Sequence, residues 1–177
     1  MKKLIIAAAI ACAAAISQAA TVNWNISGVK ADGGAAPTAG WAVMAFYTEV
    51  GAGSDAIESA IAKGKAGDLA FDTASLSVSM SKGKVAARDG NATGTDISKN
   101  YDFYFVVFNN SDATKADKYA MVSALNQEYS SLDANYSVAG VFSASTAWVA
   151  TSSVPEPTSG LLMLLGVAGL ALRRKRA

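Results

Sequence analysis

The chain contains no His and a single Cys, and that inventory removes most catalytic chemistry at once. A Ser-His-Asp triad, a Cys-His pair and an imidazole metal ligand are all excluded. Carboxylates remain as the general acid/base supply, with Asp68/Asp72 and Asp112/Asp117 as spaced pairs. Neither pair lies in a recognisable catalytic context, and glycosidase carboxylates are defined by separation in space rather than along the chain. G-x-S-x-G, P-loop and dinucleotide fingerprints are absent. These observations predict a protein that is not an enzyme and needs no cofactor.

Two other groups of residues carry binding chemistry. Asp89, Asn91 and Thr93 alternate ahead of Gly94, as oxygen ligands do in calcium loops. The twelfth position of such a loop is Asn100, not the bidentate Glu that closes the site, so a solvated Asp89-Gly90-Asn91 turn accounts for the same residues. Exposed aromatics could stack on sugar rings. Trp24, Trp41 and Trp148 sit in apolar company and read as core, whereas Tyr101, Tyr119, Tyr129 and Tyr136 have polar neighbours and read as the better platform.

The ends of the chain dominate its composition of 177 residues, 51% hydrophobic and +1 in formal charge. Lys2 and Lys3, the apolar run from Leu4 to Ile16, and Ser17-Gln18-Ala19-Ala20 follow the order of a secretory signal peptide over residues 1–20. Signal peptidase is expected to cut after Ala19 or Ala20, discarding Cys12. The apolar run is short of the roughly 20 residues that span a bilayer.

The C-terminal segment is more specific. Val154-Pro155-Glu156-Pro157 is followed by the uncharged run Gly160-Leu161-Leu162-Met163-Leu164-Leu165-Gly166-Val167-Ala168-Gly169-Leu170-Ala171-Leu172. Arg173, Arg174, Lys175 and Arg176 then form a basic stop. Two prolines keep a segment extended and open to an enzyme. The apolar run predicts a thin transmembrane helix, and cations held at the cytoplasmic face would leave the body outside.

That order closely resembles the PEP-CTERM sorting signal of Gram-negative bacteria, over residues 154–177 alone. The resemblance implies recognition by an exosortase, a transpeptidase-like membrane enzyme that cuts near Pro-Glu-Pro. It also implies a transient membrane association, followed by release or transfer of the body to the envelope or extracellular matrix. Exopolysaccharide is the partner such proteins often accompany. The same tail also goes under the name ice-binding protein C-terminal domain, which is no sign of ice binding.

Between the tags the balance changes. Residues 20–157 hold nine Lys+Arg against all fourteen Asp+Glu, a charge of −5, with every aromatic and no Cys. An acidic body gives no field for nucleic acid, and a fold without disulfides must rest on its core. Val22, Trp24 and Ile26 alternate with polar residues as a half-buried strand does, and Trp41–Tyr47 and Phe103–Phe108 are continuous apolar runs. Leu76–Met80, Lys118–Leu125, Tyr136–Phe142 and Ala147–Ala150 complete the expected strands, with Leu69–Phe71 as the start of another. Asp55 with Glu58 suggests a capping box opening a short helix to about residue 63, stopped by Gly64. The pattern predicts an all-β sandwich over 21–150, with jelly-roll order among its arrangements, and a flexible tether over 151–153. Its expected role is structural or adhesive. A carbohydrate-binding module is the alternative and a small glycan-active enzyme a weaker one.

Overall fold

A computed structural model describes residues 19–151. The expected signal sequence before Ala19 and the expected sorting motif, apolar run and basic stop after Thr151 lie outside the described residues. Nine strands and one short helix make up the body: β1 (Ala20–Val29), β2 (Ala42–Glu49), α1 (Asp55–Ala62), β3 (Asp72–Ser75), β4 (Ser77–Ser79), β5 (Lys82–Ala92), β6 (Tyr101–Phe108), β7 (Lys118–Gln127), β8 (Tyr136–Val141) and β9 (Trp148–Ala150). They form a four-stranded sheet in the order β4-β5-β1-β8 and a five-stranded sheet in the order β3-β2-β6-β7-β9. All pairs are antiparallel except β1 with β8, which run parallel.

Period-two burial explains why the sheets face each other. Ala20, Val22, Trp24 and Ile26 alternate inward on β1, and Tyr136 and Val138 do so on β8. They meet Val43, Ala45, Phe103, Phe105 and Val107 from the other sheet in one shared core. Each large aliphatic or aromatic side chain removed from water there contributes roughly 1.5–3 kcal/mol. Trp24 stacks on Phe105 with ring centroids 5.6 Å apart.

Every residue of β6 is buried, because its second face has its own cover. Tyr104, Val106 and Phe108 point away from the sandwich core and pack with Phe46 under Ile57 and Ile61 of α1. The continuous apolar run FYFVVF is thus a strand buried on both faces. Helix α1 ends where expected, at Gly64 with φ +66°. Its start differs by one residue: Ser54 is the N-cap and its Oγ donates to Glu58 Oε1 at 2.6 Å, while Asp55 is the first helical residue.

Two expectations on strands are corrected. The stretch expected as one strand, Leu76–Met80, is a corner between sheets. Leu76, 2% exposed, joins β3 in one sheet to β4 in the other, and Met80 lies beyond β4 in the turn to β5. Leu69–Phe71 precede β3 rather than beginning it. Asp89-Gly90-Asn91 is not a turn but part of β5, paired with Val22 and its neighbours on β1. Gly83 and Gly90 are there because side chains of neighbouring segments lie close above the backbone. A Cβ on Gly83 would lie 2.5 Å from Leu76 Cδ2, and one on Gly90 would lie 2.8 Å from Phe71 Cε2.

Candidate functional site

The topology places the two ends of the body at opposite poles. At one pole β1 begins with Ala20, buried and donating its N–H to Thr95 Oγ1 at 3.2 Å. Of the two expected cleavage points, the one after Ala19 would leave β1 whole. Strands β2, β4 and β7 relate to the other pole: β4 ends there, β2 and β7 begin there, and β9 runs toward it beside Lys118–Ala120. The chain leaves at this exit pole.

The exit is fastened. Trp148 Nε1 donates to the Lys30 carbonyl at 3.0 Å, and its ring meets Trp41 edge-on at 5.5 Å. Thr151 N–H donates to the Asp117 carbonyl at 2.9 Å, and its hydroxyl donates to the Ala116 carbonyl. Thr151 is therefore part of the body rather than of the expected tether, whose other residues lie outside the described ones. Three residues separate Thr151 from Pro155.

The tyrosine platform does not form. Tyr101, Tyr119 and Tyr136 are buried, and Tyr129 packs partly buried against the same core. Tyr136 is surrounded by Tyr101, Phe103 and Tyr129 at 5.2 to 6.0 Å, and its hydroxyl donates to the Lys99 carbonyl at 2.8 Å. Burial first, then the neighbouring Tyr101, Asp96 and Tyr129, push the Tyr136 phenol up to about 12. Burial likewise raises the Tyr47 phenol, with a smaller contribution from Tyr101. The polar neighbours that suggested exposure point the other way, since consecutive strand residues face opposite sides. Trp24 is core as expected, whereas Trp41 and Trp148 are half-buried at the exit.

The calcium candidates stand on a strand rather than in the expected turn. Asp89 and Asn91 stand on an extended strand and Thr93 follows it, so alternate side chains lie roughly 6.6 Å apart along the chain. Asp89 instead accepts from Asn23 Nδ2 at 2.8 Å, across the β1–β5 pair.

A cavity of about 760 Å³ opens beside β3 on the outer side of the five-stranded sheet. Met44, Ile61, Ala66 and Phe108 give it apolar walls, and Lys65, Asp68, Arg88, Asp112, Thr73 and Ser75 give it polar groups. Of the two carboxylate pairs, Asp68 and Asp112 line it while Asp117 does not. Asp72 stands behind it, accepting from Trp24 Nε1 at 2.9 Å and from Arg88 Nε at 2.9 Å, and so clasps one sheet to the other. Asp112 accepts from the N–H and hydroxyl of Thr114, which together with Lys115 hold its carboxyl below the usual range. Sequence reasoning missed this cavity because five separate segments build it. Its only linear trace is the pair of acids.

Among the described residues no helix is long and apolar enough to cross a membrane, and no cluster of three or more His, Cys, Asp or Glu could hold a metal. No curated protein and no solved structure matches the chain. Residues 153–176 match a family described as the PEP-CTERM protein-sorting motif, and the match stops short of the body. That motif supports export, processing by an exosortase-like membrane enzyme and membrane-anchored sorting toward the cell surface. The C-terminal tail of this chain is a PEP-CTERM protein-sorting motif.

Proposed function

We propose that the body is a non-catalytic structural or adhesive module, displayed at the envelope or in the extracellular matrix after its tail is processed. The observation that carries this reading is the placement of Ala20 and Thr151 at opposite poles of the sandwich. A rigid body so attached holds its N-terminal pole away from the bilayer, as a displayed or spacing module must. The carboxylates support the non-catalytic part. Asp72 is committed to Trp24 and Arg88, and Asp112 to its own turn, so neither is poised as a general acid.

The cavity beside β3 favours a second reading, a carbohydrate-binding module acting on exopolysaccharide or another glycan. Apolar walls with hydroxyl, carboxylate and cationic groups suit a sugar's mixed surface. A glycan-active enzyme would draw on Asp68 and Asp112 in the same place. A glycan array and polysaccharide pull-down on the exported protein test these readings. Absence of saturable binding is expected. Saturable binding lost in Asp68→Asn or Asp112→Asn would replace the structural reading, and product release from the bound glycan would make the protein an enzyme.

A further inference from the structure

We infer that the exit pole is a membrane-docking surface for anionic phospholipid headgroups, used while the tail still anchors the chain. The inference rests on the sorting reading of the tail. The first observation is Met80. It sits at the tip of the β4–β5 hairpin and is 95% exposed. Met80 and Ser81 have φ of 50° and 60°, a pair of left-handed residues for which a two-residue hairpin turn selects Asn-Gly. Neither turn geometry nor packing calls for a methionine there, and its position at the exit pole makes it available to the bilayer.

The second observation is charge. The body is acidic, yet its cations gather at this pole. Lys118 pairs with Asp32 and Lys115 with Asp112. That leaves Lys30, Lys82 and Lys84 around the hairpin, against Asp117. Lys30 Nζ also donates to the Ser81 carbonyl at 2.7 Å, which steadies the tip. The opposite pole carries Glu49, Asp96, Glu128 and Asp133 with Lys99, so the long axis runs from negative to positive toward the exit. Basic groups held near an anionic bilayer are attracted by about 1 kcal/mol each.

The third observation is chain length. Eight residues separate Thr151 from Gly160, where the apolar run starts. Nine chain steps at full extension reach about 30 Å, so the exit pole stays within that distance of the bilayer. An apolar tip ringed by lysines, on a short leash and facing the membrane, fits the interface between headgroups and acyl chains. Docking would hold the Pro155-Glu156-Pro157 segment close to the plane in which a membrane enzyme works.

Leu132, 96% exposed in the loop before β8, is a matched control at the far pole. The test places an environment-sensitive fluorophore on Met80→Cys or on Leu132→Cys, each in a Cys12→Ser background of the full chain. The protein is reconstituted into vesicles of phosphatidylcholine alone or mixed with phosphatidylglycerol, with brominated lipid as quencher. Flotation with the vesicles reports anchoring independently. The expected result is a blue shift and several-fold stronger quenching at position 80 than at 132. Phosphatidylglycerol should deepen the effect, and Lys30→Ala with Lys82→Ala and Lys84→Ala should weaken it. Vesicles that float while positions 80 and 132 quench alike, or show no dependence on phosphatidylglycerol, overturn the inference and leave sorting intact. Protein that fails to float overturns both.

Discussion

Removing the Asp72 carboxylate should loosen the two sheets far more than removing the cation it binds. Asp72 belongs to β3 in the five-stranded sheet, while Trp24 and Arg88 are register partners on β1 and β5 in the other. Its Oδ2 accepts from Trp24 Nε1, and Trp24 is 0% exposed. In Asp72→Ala that indole N–H stays buried without a partner, at a cost of about 1–3 kcal/mol. The Arg88 pair adds less, since the Arg88 side chain is 42% exposed, and contributes about 0.5–1 kcal/mol. Asp72→Ala should therefore lose about 3 kcal/mol. Arg88→Ala should lose about 1 kcal/mol, including its position 5.8 Å over the Trp24 ring. Asp72→Asn keeps an acceptor for the indole and should fall between them. Urea unfolding followed by tryptophan fluorescence and by circular dichroism measures all three. Equal losses in Asp72→Ala and Arg88→Ala would refute the indole as the dominant partner.

Other expectations follow from the same geometry. Gly28→Ala should cost about 3 kcal/mol, because φ is +77° and the new Cβ would lie 2.3 Å from the Phe142 carbonyl oxygen. Gly33→Ala, with φ +76° and open space around it, should cost about 1 kcal/mol in the same denaturation series. Tyr136 has a folded pKa of about 12, above the unfolded value near 10, so its stabilisation is complete below pH 10 and lost as pH rises toward 12. Over that window Tyr136→Phe should lose less stability than wild type, by up to about 2 kcal/mol, in urea midpoints taken at several pH values.

Much of the sandwich was legible because burial in sheets alternates. Val22, Trp24 and Ile26 announced β1, and the unbroken apolar run in β6 announced a strand covered on both sides. The same alternation misled where side chains were judged by their neighbours. Ser137 follows Tyr136 on the opposite, exposed face of β8, so a polar flank marked an inward tyrosine rather than an exposed one. Strand β5 was hidden because Gly83 and Gly90 resemble turn residues. Their reason is the close passage of Leu76 and Phe71, which no local pattern reveals. The cavity was illegible because residues near 44, 65, 75, 88 and 112 meet only in the fold. The tail was the opposite case, since a sorting signal is read as linear chemistry and its parts are contiguous.

The most direct measurement of the account is the fate of the chain when Pro155-Glu156-Pro157 is changed to three alanines in cells that make the processing enzyme. Fractionation with intact-mass analysis should find the variant at its unprocessed mass in the membrane, while wild type is shortened near the motif and leaves the membrane. Equal mass and equal distribution for the two proteins would contradict sorting through this tail.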